Sequence, residues 1–178
     1  ALYLGIANGV FERRGIRLEL EFTQNSEAQR DGLATGRFEI AYSAVDNAVA
    51  MVELAKQDVI VVSGGDTSMM EFMVHPEIKT LDDMRGRTLV VDRPNTAYAL
   101  QAKKILKNAG LIEGREYAIK SVGFTPDRIA AIESRSDKAA AGMLNPPFSF
   151  AAKDKGLKSC GRAIDLLGPY QGGGIFVQ

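Results

Sequence analysis

Residues 36–47 read GRFEIAYSAVDN, and this stretch decides the fold class. Gly36 marks a turn, and the apolar run Phe38 to Tyr42 predicts a strand. The polar cluster Ser43, Asp46 and Asn47 opens a helical run from Ala44 to Leu54. A strand that empties onto a polar helix start is where open α/β sheets place ligands.

The pattern extends in both directions. Upstream, Ala1 to Arg14 predicts a helix weakened at Asn8-Gly9 and ended by Gly15. Ile16 to Phe22 alternates apolar and charged residues as a strand does. Asn25 or Ser26 caps a helix through Leu33. Downstream, the apolar run Val59 to Ser63 predicts a strand covered on both faces, followed by Gly64, Gly65 and Asp66. Met69 to Val74 predicts another strand.

After Thr80, which caps a short turn of helix, the alternation restarts. Strands are predicted at Thr88 to Val91, Tyr117 to Val122 and Ala139 to Leu144. Helices are predicted at Ala97 to Asn108, Thr125 to about Glu133, and Pro147 to Lys155. Leu157 to Cys160 is short and extended. Strands alternating with helices imply βαβ units and mostly parallel sheets. The predicted architecture is α/β with two lobes. Residues 1–80 form the first part of lobe one, 81–162 form lobe two, and 163–178 cross back. The first strand of lobe one is expected before Ala1, so the fold is expected to be incomplete at both ends.

The chain has 178 residues, 46% hydrophobic and 25% charged, which suits an ordinary globular protein. Lys+Arg and Asp+Glu are 22 each, so the net charge is zero. Nucleic acid is therefore not the expected partner, because phosphate neutralisation needs concentrated positive charge. One cysteine, Cys160, and one histidine, His75, exclude an intrachain disulfide and the usual cysteine- or histidine-rich metal sites. No metal and no cofactor is expected.

Three groups of residues stand at predicted strand ends. In the first, Ser43 and Asp46 have capping-box spacing, while Ser43, Asn47 and nearby amides also suit a ligand's hydrogen bonds. Asp46 suits a ligand cation instead. In the second, Asn95, Thr96 and Tyr98 follow the turn Asp92-Arg93-Pro94. Thr96 and the first helix amides there suit an anion, with Arg93 as a further charge. In the third, Asn145 precedes Pro146, Pro147 and Phe148. Asp66 marks the matching edge in the first lobe. Each group also reads as a plain cap or turn. His75 is expected to be a surface residue and Cys160 a buried thiol. No G-x-S-x-G, Walker A or H-E-x-x-H motif occurs.

Gly9-Val10-Phe11-Glu12-Arg13-Arg14-Gly15 resembles the G-[FY]-F-x-x-x-G stretch of ABC-type substrate-binding proteins of the nitrate, sulfonate and taurine group, also called NMT1/THI5-like. Leu33, Gly36, Glu39, Ile40 and Ala41 resemble that group's L-x-x-G-x-x-D-I-A, with Glu39 in place of Asp. Asp83 to Val91, DMRGRTLVV, is similar to its DLRGKTLGV, and Asp137, Ala139 and Pro146 match a later motif. The resemblance implies a type II periplasmic binding fold, with a small solute held between two lobes and passed to a membrane permease. It implies a periplasmic or extracytoplasmic location, with a lipid anchor as one variant. The implied contacts are Ser43, Asp46, Asn47, Asn95, Thr96 and Asn145. Helix starts and uncharged donors suggest a small organic anion or an amphipathic nitrogen- or sulfur-containing metabolite, and leave neutral or aromatic solutes open. Arg93 and Arg128 are the candidate cationic clamps. The alternative is an enzyme on the same fold, in thiamin-pyrimidine or quinone precursor synthesis.

Overall fold

The computed structural model describes residues 2–23, 26–65 and 70–178. It contains two sheets, each built where the hydrophobic pattern is strongest. The larger sheet has five strands: β3 (Glu71–Val74), β4 (Thr88–Val91), β5 (Ala118–Ser121), β6 (Ala139–Leu144) and β7 (Lys158–Arg162), in the order β5-β4-β6-β3-β7. β4 pairs in parallel with both β5 and β6. β3 is antiparallel to both β6 and β7.

Helices cover both faces of this sheet. On one face, α4 (Ala97–Asn108) and α7 (Ala163–Leu167) join a core with Phe72, Leu89, Val91 and Met143. On the other, α5 (Thr125–Ser134) and α6 (Phe148–Asp154) join Met73, Val90 and Leu144. β3, β4 and β6 are buried at every position, which explains their continuous apolar runs. In α4, Ala99, Ala102, Ile105 and Leu106 supply the buried helical stripe.

The smaller sheet has three strands, in the order β1-β8-β2. They are β1 (Ala41–Ala44), β2 (Ile60–Gly64) and β8 (Gly173–Val177). β8 runs antiparallel to both neighbours. Leu33 of α2 (Ser26–Ala34), Ala48 and Met51 of α3 (Asp46–Glu53), Val59 and Phe176 make its core. Gly174 is required by close approach: a Cβ there would lie 2.8 Å from Val45 Cγ2 and 3.2 Å from the Ser63 carbonyl.

Several expectations are corrected. The first helix is only α1 (Leu2–Ala7), because Gly9 takes φ +62° and breaks it before a short 3-10 turn at Glu12–Arg14. Residues 16–22 form no strand and join neither sheet, since no described strand lies beside them, and Phe22 is 80% exposed. β2 is not covered on both faces. It is an edge strand, with all five residues exposed. β1 and β2 are not adjacent, because β8 lies between them, so the smaller sheet is antiparallel where parallel pairing was expected. β3, grouped by sequence with the first lobe's strands, lies in the five-stranded sheet. The capping box at Thr80 and Asp83 forms as expected. His75 is partly buried, with Nδ1 accepting the Glu77 amide at 3.3 Å, and Cys160 is half-buried in β7.

Candidate functional site

The end of β1 and the start of α4 meet. Because β1 runs on to Ala44, α3 begins at Asp46 and Val45 takes the cap position without a side-chain bond. The predicted capping box between Ser43 and Asp46 therefore does not form. Ser43 pairs with Gly174 in the sheet, and its hydroxyl accepts from Asn47 Nδ2 at 3.3 Å.

Asp46 reaches the other sheet instead. Its Oδ2 accepts the backbone amide of Ala97, the first residue of α4, at 3.1 Å. Burial raises the Asp46 pKa, opposed by the amides of Ala97, Asp46 and Asn47, while the Asp92 carboxylate adds to the rise. Ala44 packs against the larger core at the same junction.

Asn47 is buried and engaged on both sides of its amide. Its Nδ2 also donates to the Ala44 carbonyl, and its Oδ1 accepts from Arg30 Nη1 at 3.0 Å. It ties α3 to β1 and α2. Asp66 lies outside the described residues.

In the larger lobe, Thr96 caps α4. Its Oγ1 accepts from the Ala99 amide at 3.4 Å and donates to Asp92 Oδ1 at 2.6 Å. Asn95 and Arg93 are exposed in the preceding turn. The Tyr98 hydroxyl donates to Asn145 Oδ1 at 3.0 Å, so the exits of β4 and β6 are joined by a side-chain bond. Asn145 Nδ2 donates to the Pro146 carbonyl at 3.2 Å. Thr96, Tyr98 and Asn145 thus stand on one edge of the sheet.

Arg128 lies behind Tyr98. Its guanidinium is 4.8 Å from the ring centroid, and it donates to the Gly123 carbonyl at 3.1 Å and to Thr125 Oγ1 at 2.8 Å. It is 2% exposed, and burial lowers its pKa against the pull of Asp92, Tyr98 and Asp127.

Sequence reasoning missed Tyr170 and Gln101. Tyr170 lies in the segment between α7 and β8, where burial raises its pKa. Gln101 and Asp46 are its polar neighbours. The sequence signal was a polar aromatic in the turn Gly168-Pro169-Tyr170-Gln171-Gly172. The Ala97 amide has no side-chain signature at all. The arrangement offers hydrogen-bond donors and acceptors, aromatic surface and two carboxylates, which suits recognition of a polar solute.

Residues 1–155 match the family model described as the ABC transporter, phosphonate, periplasmic substrate-binding protein. A search of curated protein sequences gives no match. Among solved structures, the chain is similar to the periplasmic nitrate-binding protein NrtA from Synechocystis PCC 6803, with TM-score 0.81 and 10% identity, covering 99% of this chain and 51% of that one. It is also similar to the periplasmic aliphatic sulphonate binding protein SsuA from Escherichia coli, with TM-score 0.75, 16% identity and coverage of 99% and 57%. A third similar structure is CAE31940 from Bordetella bronchiseptica RB50, with TM-score 0.74, 16% identity and coverage of 99% and 58%. The chain therefore spans little more than half the length of these solved relatives. The two-lobed type II periplasmic-binding fold implied by the sequence motifs is borne out. The chain belongs to the family of ABC-transporter periplasmic substrate-binding proteins whose family model carries the phosphonate description.

Proposed function

We propose that the chain binds a small organic solute between its two lobes, as the extracytoplasmic solute-binding component of an ABC importer. Family membership supports the class, and the bond from Asp46 to the Ala97 amide is the observation that carries the location. That bond joins a helix start on one sheet to a helix start on the other, so a solute seated there touches both lobes. Binding then favours the closed arrangement over the open one, since only the closed form offers both sets of contacts. A membrane permease is the receiver of the solute.

The proposed contacts are Asp46, Tyr98 and Asn145, with Ser43, Asn95 and Thr96 at the margins. Asn47 acts by holding Ser43 and Ala44 against α3. The solute that co-purifies with the full chain is identified by mass spectrometry and titrated back calorimetrically. Asn145→Ala is expected to weaken its binding about tenfold, by removing one hydrogen-bonding group from the solute and from Tyr98. Unchanged affinity in both Asn145→Ala and Tyr98→Phe overturns this location.

A further inference from the structure

The start of α4 is the natural place in this cleft for an anionic head group. Its first amides lack intrahelical partners, and the helix dipole is positive there. In this chain the place is already taken. Asp46 Oδ2 accepts the Ala97 amide, and the amides of Asp46 and Asn47 at the start of α3 also draw on the same carboxylate. One carboxylate thus lies between two helix starts, one from each sheet.

The remaining polar groups reinforce the point. Asp46 Oδ1 is buried and has no hydrogen-bond partner among the described residues. Asp92 adds a second negative charge beside it. Arg128, the buried cation of the neighbourhood, directs its terminal nitrogens at Gly123 and Thr125 and lays its face on the Tyr98 ring. Gln101, 5% exposed, stands within reach of the Tyr170 hydroxyl. Asp46 Oδ1 and Arg128 Nε are thus both buried without a hydrogen-bond partner among the described residues, and two carboxylates, Asp46 and Asp92, stand against one buried guanidinium.

We infer that Asp46 sets the specificity of the proposed cleft: its carboxylate holds the position an anionic head group would take at α4, so the cleft admits solutes that present hydrogen-bond donors there and rejects small oxyanions. The inference rests on the cleft reading above. An entering oxyanion has to displace a carboxylate tethered within the site, whose effective concentration is on the order of millimolar. It then meets repulsion from that carboxylate and from Asp92. An ammonium, amidine or ring N–H group instead completes Oδ1, which is buried without a partner. Rejection by a built-in like charge is a common route to selectivity.

The test is calorimetric titration of the full chain with methylphosphonate, methanesulfonate and nitrate, in the native protein and in Asp46→Asn. Asn is nearly isosteric and still accepts from the Ala97 amide, but carries no charge. Asp46→Asn is expected to bind at least one of the three anions at least tenfold more tightly than the native chain. Equal or weaker affinity, or no binding of any anion by the variant, overturns the inference. Should Asp46→Asn not fold, as judged by its circular dichroism, Asp46→Ser carries the same comparison. Asn145→Ala, titrated with the co-purified solute, separates the two readings. If it loosens that solute while Asp46→Asn leaves the anions unchanged, the specificity role falls and the cleft stands. If neither Asn145→Ala nor Tyr98→Phe changes the affinity for that solute, the cleft reading falls and this inference with it.

Discussion

The Asp46 carboxylate accepts the Ala97 amide at 3.1 Å across 51 positions of sequence, joining the two lobes. Burial raises its pKa above the ordinary 3.8 despite the amide bonds. The folded chain therefore keeps this proton at pH values where the unfolded chain has lost it. Its contribution to stability falls as pH rises from 3.8 through the raised folded value. Asp46→Asn is expected to melt like the native chain at the acid end of that window and above it at neutral pH. Thermal melts across the window check this, and a constant gap contradicts it.

Glu71 has the opposite sign. It is 8% exposed on β3, and Lys153 Nζ of α6 lies 2.8 Å from its Oε2. Burial alone raises its pKa, but the hydrogen bond and charge of Lys153, with the nearby hydroxyls of Ser159 and Ser149, outweigh burial and hold it below 4.5. Its stabilisation is complete above 4.5 and is lost as pH falls through the depressed folded value. Lys153→Met is expected to cost about 1–2 kcal/mol at neutral pH, discounted from a fully buried pair because the lysine is partly exposed. Urea unfolding at neutral and acid pH reads both effects.

Arg128 is a buried cation whose guanidinium geometry matters. Arg128→Met removes two bonds from a charged donor and the stack on Tyr98, and is expected to cost about 2–3 kcal/mol. Arg128→Lys is expected to recover little, because an ammonium cannot match the planar fork. Comparable stability of Arg128→Lys and the native chain in denaturant titrations refutes that role.

Gly174→Ala places a methyl against Val45 and the Ser63 carbonyl, where β8 passes between its neighbours. The expected loss is about 1–3 kcal/mol from overpacking. Gly110→Ala is a useful comparison: a Cβ there meets open space, but φ is +79°, so its loss reports backbone strain alone.

In the larger sheet β4, β5, β6 and β7 were legible in the sequence to within a residue or two, whereas β3 was grouped with the other lobe. β4, α4 and β6 begin and end where the pattern placed them, because each buries a regular face against a layer close in sequence. The smaller sheet was not. The apolar run at Val59 to Ser63 says that a strand forms but not what lies on it, and its ladder partner β8 is more than a hundred positions away. At the candidate site, Thr96, Tyr98 and Asn145 were legible as strand-end residues, and the structure gathers them on one edge. The reach of Asp46 was not, because its spacing from Ser43 imitates a local cap. Only the extra residues of β1 move the helix start and release the carboxylate.

The strand order also fixes a timetable. All five strands of the larger sheet lie within residues 71–162, whereas the middle strand of the smaller sheet is residues 173–177. During synthesis the larger sheet can close as soon as β7 is available. Among the described residues, β1 and β2, made much earlier, have β8 as their one ladder partner, so their sheet forms once residues 173–177 are made. The smaller sheet, which carries Asp46 at the end of its first strand, therefore depends on a segment made after every strand of the larger sheet.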